Sequence, residues 1–473
     1  MVGRPVRAAR RVSTGMTKTQ RWVLALTSTA SLMIALDSLV VTTALPTIRA
    51  DLGASVAQLE WTVNAFVLSF AVLLMTGAAL GDRFGRRRML AAGLTVFVVA
   101  SIACALAPSV GWLIAARAVQ GAGGAIAMPL AMAMLGAAFP PDQRARALGT
   151  FSGVTGVAVL GGPVIGGAIA QGLAWEWIFW LNVPLGIIVI PLVLRRLAES
   201  FGPGGRLDVR GVVLVTGAAF GLVWALVRGN EAGWGSVEVT VAFAGGALLA
   251  VAFVAWERRA DAPMLPLRFF RSRAFSAANA AGFLLYATLY GAVFFVTQYL
   301  QIGLGYGPLE AGLGQLPWTA TLFVVAPIAG RLVNRLGERA LVVGGLLLQA
   351  AGMAWFAVLA EPGAAYAQLV LPMLVAGSGV SLAMPAAQAA VMGAVAPAEM
   401  GKASGAFNTL RFLGGAFGIA VAVAVFAGAG DYASAETFTD GFGAALGVAA
   451  GLSLCGALAG AVLTAPRPVP RMA

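Results

Sequence analysis

Histidine is absent from this chain of 473 residues, cysteine occurs twice, and Asp, Glu, Lys and Arg together make up only 11%. The absence of histidine removes the commonest metal ligand and any histidine proton relay. Cys104 and Cys455 both lie in apolar stretches, so no disulfide framework is expected. Because the only lysines are Lys18 and Lys402, the sequence holds no Gly-x-x-x-x-Gly-Lys-Ser/Thr loop that would bind ATP. We therefore expect neither a metal nor a cofactor.

Apolar sequence is abundant: 60% of the residues are hydrophobic and the mean hydropathy is +0.88. A soluble protein could not cover its surface with so few charges, whereas a lipid-facing protein can. A run of about 17 or more mostly apolar residues is long enough to span a bilayer. The sequence therefore predicts an all-α integral membrane protein with fourteen transmembrane helices. The runs are residues 22–45, 61–80, 89–107, 112–139, 147–171, 177–194, 211–227, 237–256, 274–300, 311–330, 340–360, 368–391, 403–428 and 441–464.

Basic residues are unevenly distributed over the loops between these spans. The two terminal segments and the even-numbered loops hold 27 of the 31 Lys and Arg residues, which the positive-inside rule places in the cytoplasm. Both termini are thus expected to be cytoplasmic. The net charge of +12 is accordingly read as a topology signal, and nucleic acid is not expected as a partner. Arg, Ala and Gly are abundant and Lys is scarce, which is typical of a GC-rich bacterial genome and favours a bacterial plasma membrane.

Two internal matches indicate a duplicated chain. The short basic loops at residues 78–88 and 330–339 resemble each other, and residues 121–149 align without gaps to 377–405 with 11 identities over 29 positions. Such repeats are typical of secondary transporters. The domains are predicted as a basic cytoplasmic tail (1–20), a six-helix bundle (21–199), a linker with two extra helices (200–273), a second six-helix bundle (274–466) and a cytoplasmic tail (467–473).

Several motifs carry a family resemblance that covers all but the first 20 residues. They are residues 36–46 in span one, the loop 78–88, residues 117–124 in span four, residues 162–167 in span five, and residues 175–179 with 182–186 at span six. Together they resemble the 14-helix drug:proton antiporter branch of the major facilitator superfamily. The resemblance implies two six-helix bundles related as a parallel pseudo-repeat, plus two inserted helices. Ala78 and Ala158 depart from the family motifs, each replacing a glycine.

Asp37 and Arg117 are the candidates for proton coupling. Asp37 is the only carboxylate well inside a predicted span, and an acid within a membrane is by default a functional residue. Burial favours its neutral form and a nearby arginine its charged form, so proton uptake and release are both accessible. The resemblance gives Arg117 the role of coupling protonation to conformation. Two alternatives remain open: Asp37 only pins helix packing, or Arg117 extends to the outer headgroups.

A second group of residues is predicted to act in conformational gating. The resemblance implies that Asp82 holds a neighbouring helix end and nearby arginines, with Arg144 or Arg146 as partners. The glycines and the proline of span five allow close approach and bending of helices. Positive charge that only sets topology, and ordinary small-residue packing, are the alternatives. The gating candidates are Asp82, Arg83, Gly85, Arg86, Arg144, Arg146, Gly162, Pro163, Gly166, Gly167, Asn334 and Arg335.

A third group is predicted to line a substrate cavity between the two bundles. Aromatic residues at 283, 286, 290 and 294 share one helical face and would suit flat lipophilic molecules. Core or lipid-facing aromatics are the alternative, and Arg411, placed near the cytoplasmic end of span thirteen, could equally reach the headgroups. The cavity candidates are Asn64, Gln120, Tyr286, Tyr290, Phe294, Gln298, Trp318, Asn408 and Arg411.

The function predicted from these features is proton-coupled export of lipophilic drugs, antibiotics or secondary metabolites by alternating access. An importer or facilitator of an endogenous metabolite on the same fold is the nearest alternative. A membrane enzyme is disfavoured because no paired carboxylates and no nucleophile with a base lie in the spans. A sensor that no longer transports is disfavoured because Asp37 and Arg117 are both present. The expected partners are a small lipophilic substrate, protons and the lipid bilayer, and the protein is expected to be a monomer.

Overall fold

The computed structural model describes residues 16–202, 208–261, 263, 265–396 and 399–463, and every regular element within them is a helix. The first nine α-helices are α1 (Lys18–Leu52), α2 (Val56–Phe84), α3 (Arg86–Ala105), α4 (Val110–Ala138), α5 (Pro141–Gly172), α6 (Trp177–Trp180), α7 (Asn182–Arg196), α8 (Val209–Ala232) and α9 (Val237–Glu257). A 3-10 helix (Leu267–Arg271) precedes α10 (Arg273–Ile302), α11 (Pro308–Gly314), α12 (Leu316–Leu336), α13 (Glu338–Leu359), α14 (Tyr366–Gly393), α15 (Met400–Ala429) and α16 (Ala435–Ala461).

Fourteen helical segments in the described part of the chain are long and apolar enough to cross a membrane. Two of them combine neighbouring helices: α6 with α7 gives Trp177–Arg196, and α11 with α12 gives Pro308–Val333. The prediction of an all-α membrane protein with fourteen spans is confirmed. The predicted limits agree with the helices to within a few residues, except that helices such as α1 extend well beyond the apolar run.

Local sequence signals set the helix ends. α1 begins with a capping box, in which the backbone N–H of Gln20 donates to the Thr17 hydroxyl and that of Thr17 to the Gln20 side chain. It ends at Gly53, whose φ of 63° favours glycine. The two basic loops of the repeat each turn at a glycine with positive φ, 103° at Gly85 and 80° at Gly337. The duplicated loops therefore have the same backbone requirement.

The helices pack as two bundles with a helix pair beside them. In the first bundle α1 packs on α5, while α2 and α3 pack on α4. In the second bundle α10 packs on α15 and α16, and α14 packs on α12 and α13. The inserted helices α8 and α9 pack on each other, and α8 also contacts α2 and α15. α9 exposes large apolar side chains, among them Val237 (79% exposed) and Leu248 (69%), as expected for a face against lipid.

The two bundles are in close contact at the end where α1 and α5 terminate, which the charge distribution predicts to be the outer face. The Gln301 side-chain amide of α10 donates to the Thr43 carbonyl oxygen of α1 at 2.9 Å. The backbone N–H of Leu309 in α11 donates to the side chain of Gln171 in α5 at 3.1 Å. A Cβ at Gly167 of α5 would lie 2.2 Å from the Pro308 carbonyl oxygen, so only glycine allows this approach.

Replacement of Gly167 by alanine is expected to lower the stability of the protein. The added methyl group meets backbone atoms, which cannot move aside as a flexible side chain would, and overpacking of this kind costs about 1–3 kcal/mol. Thermal unfolding of the purified protein in detergent measures the effect. Gly153→Ala on the same helix is the control, since its Cβ would meet nothing within 4 Å. Equal unfolding temperatures for the two variants would show that the α5–α11 contact yields easily.

Candidate functional site

Asp37 and Arg117, predicted to act in proton coupling, meet in the interior of the first bundle. Asp37 lies on α1 and is 2% exposed, and Arg117 lies on α4 and is fully buried. The Nη1 of Arg117 donates to Oδ2 of Asp37 at 2.5 Å. Arg117 therefore points into the protein and does not extend to the membrane surface.

Two side-chain amides complete the environment of the Asp37 carboxylate. Gln120 of α4 and Asn182 at the start of α7 both donate to Oδ1 of Asp37, at 2.8 and 2.9 Å. The Oε1 of Gln120 accepts a second hydrogen bond from Arg117 at 2.6 Å. Ser101 of α3 accepts from the Gln120 amide at 2.8 Å. Gln120, predicted to line the cavity, thus belongs to the carboxylate site, and all of these groups are buried.

The Arg117 guanidinium is held by further groups on other helices. Its Nε donates to the Thr62 carbonyl oxygen of α2 at 3.2 Å. It lies over the ring of Phe66 at 4.3 Å and near that of Phe179 of α6 at 5.8 Å. The site consequently joins α1, α2, α3, α4, α6 and α7. Sequence reasoning missed Ser101 and left Asn182 only as part of a motif, although polar residues within apolar spans were the available signal.

A second buried acid, Glu60, lies near the start of α2, just outside the predicted span. Glu60 is fully buried and accepts a hydrogen bond from the Asn64 side chain at 3.0 Å. The predicted span began at residue 61, one residue after Glu60, because apolarity alone set its limit. α2 begins at Val56, so Glu60 lies within the helix. Asn64 therefore serves Glu60 in this structure.

Four of the remaining predicted cavity residues lie together. Tyr286 and Tyr290 of α10 lie close together, with ring centroids 6.4 Å apart, and the Arg411 guanidinium lies 4.9 Å from the Tyr286 ring. Asn408 donates to the Ser404 carbonyl oxygen of its own helix at 2.9 Å. These residues lie where α10 meets α15.

Phe294, Gln298 and Trp318 have other surroundings. Phe294 stacks edge-on against Phe295, part of an aromatic cluster towards the end of α10, and Trp318 is buried at the start of α12. The Gln298 side chain accepts from the Tyr432 hydroxyl at 2.5 Å, and the Arg49 guanidinium of α1 lies 4.3 Å from the Tyr432 ring. Gln298 thus supports a contact between the two bundles.

The loop between α2 and α3 is held by ion pairs. Asp82 accepts two hydrogen bonds from Arg86, at 2.8 and 2.9 Å. Glu199, beyond the end of α7, accepts from the backbone N–H of Arg87 at 2.8 Å and lies 3.6 Å from the charged groups of Arg87 and Arg88. Sequence reasoning missed Glu199. These contacts attach the loop to its own bundle and to the segment that follows α7.

The remaining gating candidates are placed as follows. Cβ atoms at Gly162 and Gly166 would contact Leu39 and Thr43, at 2.9 and 2.3 Å, so these glycines let α5 approach α1. A Cβ at Gly312 of α11 would lie 2.2 Å from the Pro163 carbonyl oxygen, so this glycine lets α11 approach α5. Arg83 lies 5.3 Å from the Phe84 ring, and Arg335 is exposed. The side chains of Arg144, Arg146 and Asn334 lie outside the described residues.

An apolar cleft with a volume of about 1030 Å³ opens between α2, α4 and the inserted helix α8. Trp61, Phe220 and Trp224 form part of its wall, and the ion pair between Arg228 and Glu238 lies at one end. Its described lining residues include none of the predicted cavity residues. The inserted pair thus builds a surface that hydropathy alone does not predict.

Comparison with known proteins identifies the fold. A family model of the Major Facilitator Superfamily matches residues 27–419. The chain belongs to this superfamily. It is therefore a multi-pass membrane transport protein rather than an enzyme, and the resemblance seen in the motifs is confirmed.

Similar proteins are named for resistance and export. The cephamycin export protein CmcT of Amycolatopsis lactamdurans is 39% identical over 420 residues, which are 87% of this chain and 86% of that protein. The tetracenomycin C resistance and export protein of Streptomyces glaucescens is 38% identical over 395 residues, 82% of this chain and 73% of that protein. The multidrug resistance protein Stp of Mycobacterium tuberculosis is 34% identical over 414 residues, 87% of this chain and 77% of that protein.

Among solved structures, a peptide transporter POT in complex with sulfate aligns with a TM-score of 0.70. It covers 92% of this chain and 93% of that chain at 15% identity. At this identity the likeness shows the fold alone: a major facilitator fold of two six-helix bundles, here with two inserted helices.

Asp37→Asn is expected to destabilise the protein and Asp37→Asn/Arg117→Gln to recover most of the loss. The single change leaves the Arg117 charge buried without a counter-charge, which costs about 3–5 kcal/mol, whereas the double change removes both charges. Thermal unfolding in detergent compares the two with wild type. A double variant as unstable as the single one would mean that the amide hydrogen bonds, and not the charge pair, dominate.

Glu199→Gln is expected to increase tryptic cleavage after Arg86 to Arg88 severalfold in inside-out membrane vesicles. Glu199 lies 3.6 Å from the charged groups of both Arg87 and Arg88, so its neutralisation removes the ion-pair partner that the two arginines share. Glu338→Gln, at the start of α13, makes the same chemical change at the equivalent loop of the second bundle. If Glu199→Gln is cleaved after Arg86 to Arg88 no faster than wild type and Glu338→Gln, Glu199 does not order the loop.

Proposed function

We propose that this chain is a proton-coupled exporter of lipophilic antibiotics or related compounds that works by alternating access. The observation that carries the proposal is the buried charge pair of Asp37 and Arg117, which connects a group able to bind a proton to six helices of one bundle. A transporter that uses a proton gradient needs a site of this kind. Export is proposed because the relatives at 34–39% identity are named for export or resistance.

The coupling follows from the environment of Asp37. As an anion Asp37 neutralises the charge of Arg117 and accepts hydrogen bonds from Gln120 and Asn182. Protonation removes the negative charge and leaves Arg117 enclosed between Phe66 and Phe179, an arrangement that costs several kcal/mol. The protonated protein is therefore driven to rearrange these helices. One proton crossing about 150 mV supplies about 3.5 kcal/mol, enough for a substrate gradient of a few hundredfold.

Several further features belong to the same proposal. The transporter lies in a bacterial plasma membrane with both termini in the cytoplasm, as the distribution of basic residues favours. Its pseudo-repeated units are residues 21–199 and 274–466, with the extra helices in 200–273. The proposal takes the monomer as the working unit, as the sequence analysis expects.

Drug accumulation in an efflux-deficient bacterial host tests the proposal. Wild type is expected to lower accumulation of lipophilic compounds, an uncoupler to abolish the difference, and Asp37→Asn to behave as empty vector. Asp51→Asn, at the end of the same helix, is the matched control and is expected to export as wild type does, because an asparagine oxygen can still accept from Trp175. Membrane quantities of all variants are measured in parallel.

Export that survives Asp37→Asn would remove Asp37 from the coupling mechanism. Accumulation that rises on expression of wild type would support import instead of export.

A further inference from the structure

Arg411 lies within the membrane-spanning helix α15, away from both of its ends. It is the twelfth residue of α15, which begins at Met400, three residues before the predicted span. At about 1.5 Å per residue it lies roughly 16 Å along the helix from that end, more than a third of the length of this 30-residue helix. An arginine at this depth needs a partner, and its identity indicates function.

The partners of Arg411 within the described residues are aromatic. Its guanidinium carbon lies 4.9 Å from the ring centroid of Tyr286 and 4.6 Å from that of Phe412. Its Nη1 is 3.4 Å from the Tyr286 hydroxyl, a long hydrogen bond, and its buried Nε has no hydrogen-bond partner in the described part of the chain. The guanidinium thus retains unused donors.

No carboxylate on this bundle reaches that depth. The acids between residue 273 and the end of α16 lie outside the helices or within the first six residues of one: Glu310, Glu338, Glu361, Glu399, Asp431, Glu436 and Asp440. In the other bundle Asp37 is already paired with Arg117, and Glu60 lies near the opposite end of the membrane region, one turn into α2. The charge of Arg411 is therefore not balanced by the acids of the described chain.

Arg411 also lies where the two bundles meet. Phe412, which its guanidinium covers, packs against Phe70 of α2 with ring centroids 4.6 Å apart. Tyr290 packs on Gly415, whose Cβ would lie 3.1 Å from its ring. A molecule that passes between the bundles at this depth would meet a cation flanked by aromatic faces.

We propose that Arg411, with Tyr286 and Tyr290, is a binding subsite for the anionic group of flat aromatic acids, that is, a carboxylate or phenolate on a ring system. A guanidinium binds such a group through two parallel N–H donors, and the neighbouring rings pack on the aromatic part. This inference rests on the proposed export function and specifies its substrate class. It assigns the preference to Arg411 because Arg117 is fully engaged by Asp37.

Binding of three matched probes to the purified protein in uncharged detergent tests the subsite. The probes are anthracene-9-carboxylate, anthracene-9-carboxamide and 9-(aminomethyl)anthracene, which share a ring system and differ in charge, and binding is followed by tryptophan fluorescence. Wild type is expected to bind the carboxylate at least tenfold more tightly than the other two. Arg411→Gln should abolish this preference while changing carboxamide affinity less than twofold, and Arg411→Lys should retain part of it. Arg339→Gln, an exposed arginine on α13, is the control and should behave as wild type.

Equal affinities for the three probes, tightest binding of the amine, or a preference that survives Arg411→Gln would each overturn the inference. A carboxylate preference lost competitively on addition of phosphatidylglycerol would assign the site to a lipid headgroup and overturn it as well. The same variants are assayed for export in the efflux-deficient host. Export without a charge preference contradicts this inference alone, whereas the absence of export of any lipophile contradicts the proposed function.

Discussion

The ion pair between Asp37 and Arg117 constrains the first bundle more than any other contact. Two opposite charges within a membrane protein are tolerated only when each is neutralised and hydrogen-bonded. Here that requirement brings together donors from separate helices: Gln120 from α4 and Asn182 from α7. The arrangement also requires close helix packing, which the glycines of α5 allow by approaching α1. Burial of this ion pair therefore depends both on charge neutralisation and on the close helix packing that small residues allow.

The two halves share a backbone plan but differ in chemistry. In each half a glycine lets one helix contact the backbone of another: Gly121 faces Phe66 and Gly377 faces Trp318, with would-be Cβ distances of 2.4 and 2.6 Å to the carbonyl oxygens. The position equivalent to Arg117, however, holds Met373. Asp37 and its paired base Arg117 lie in one half, whereas Arg411, a base without a paired acid, lies in the other. The two halves thus share the glycine-mediated packing but not the charged groups.

The extent to which the sequence predicted the structure follows the range of the interactions. Hydropathy located all fourteen spans, because burial in lipid depends on the composition of each segment by itself. Asp37 and Arg117 stood out as rare charges within apolar runs. Ser101, which accepts from Gln120, did not, since serine is common in membrane helices and only the packing of α3 on α4 brings it to Gln120. Glu60 was missed because a polar residue at the edge of an apolar run shifts the apparent limit. The contact of Gln298 with Tyr432 was not predicted, because the two residues lie 134 positions apart in the sequence.

Helix α1 connects the charge pair to the closed face of the molecule. It carries Asp37, then Thr43, whose carbonyl oxygen accepts from Gln301 of the second bundle, then Arg49, which lies over Tyr432. These points are about 9 and 18 Å from Asp37 along the helix at 1.5 Å per residue. All three points belong to one helix, in which Pro46, between Thr43 and Arg49, removes a backbone hydrogen bond. In the proposed mechanism, a proton reaches Asp37, which is 2% exposed, only when α1 or a neighbouring helix moves. Under the same proposal this movement acts on the contacts that close the bundles, so proton access and opening of that face share one structural element.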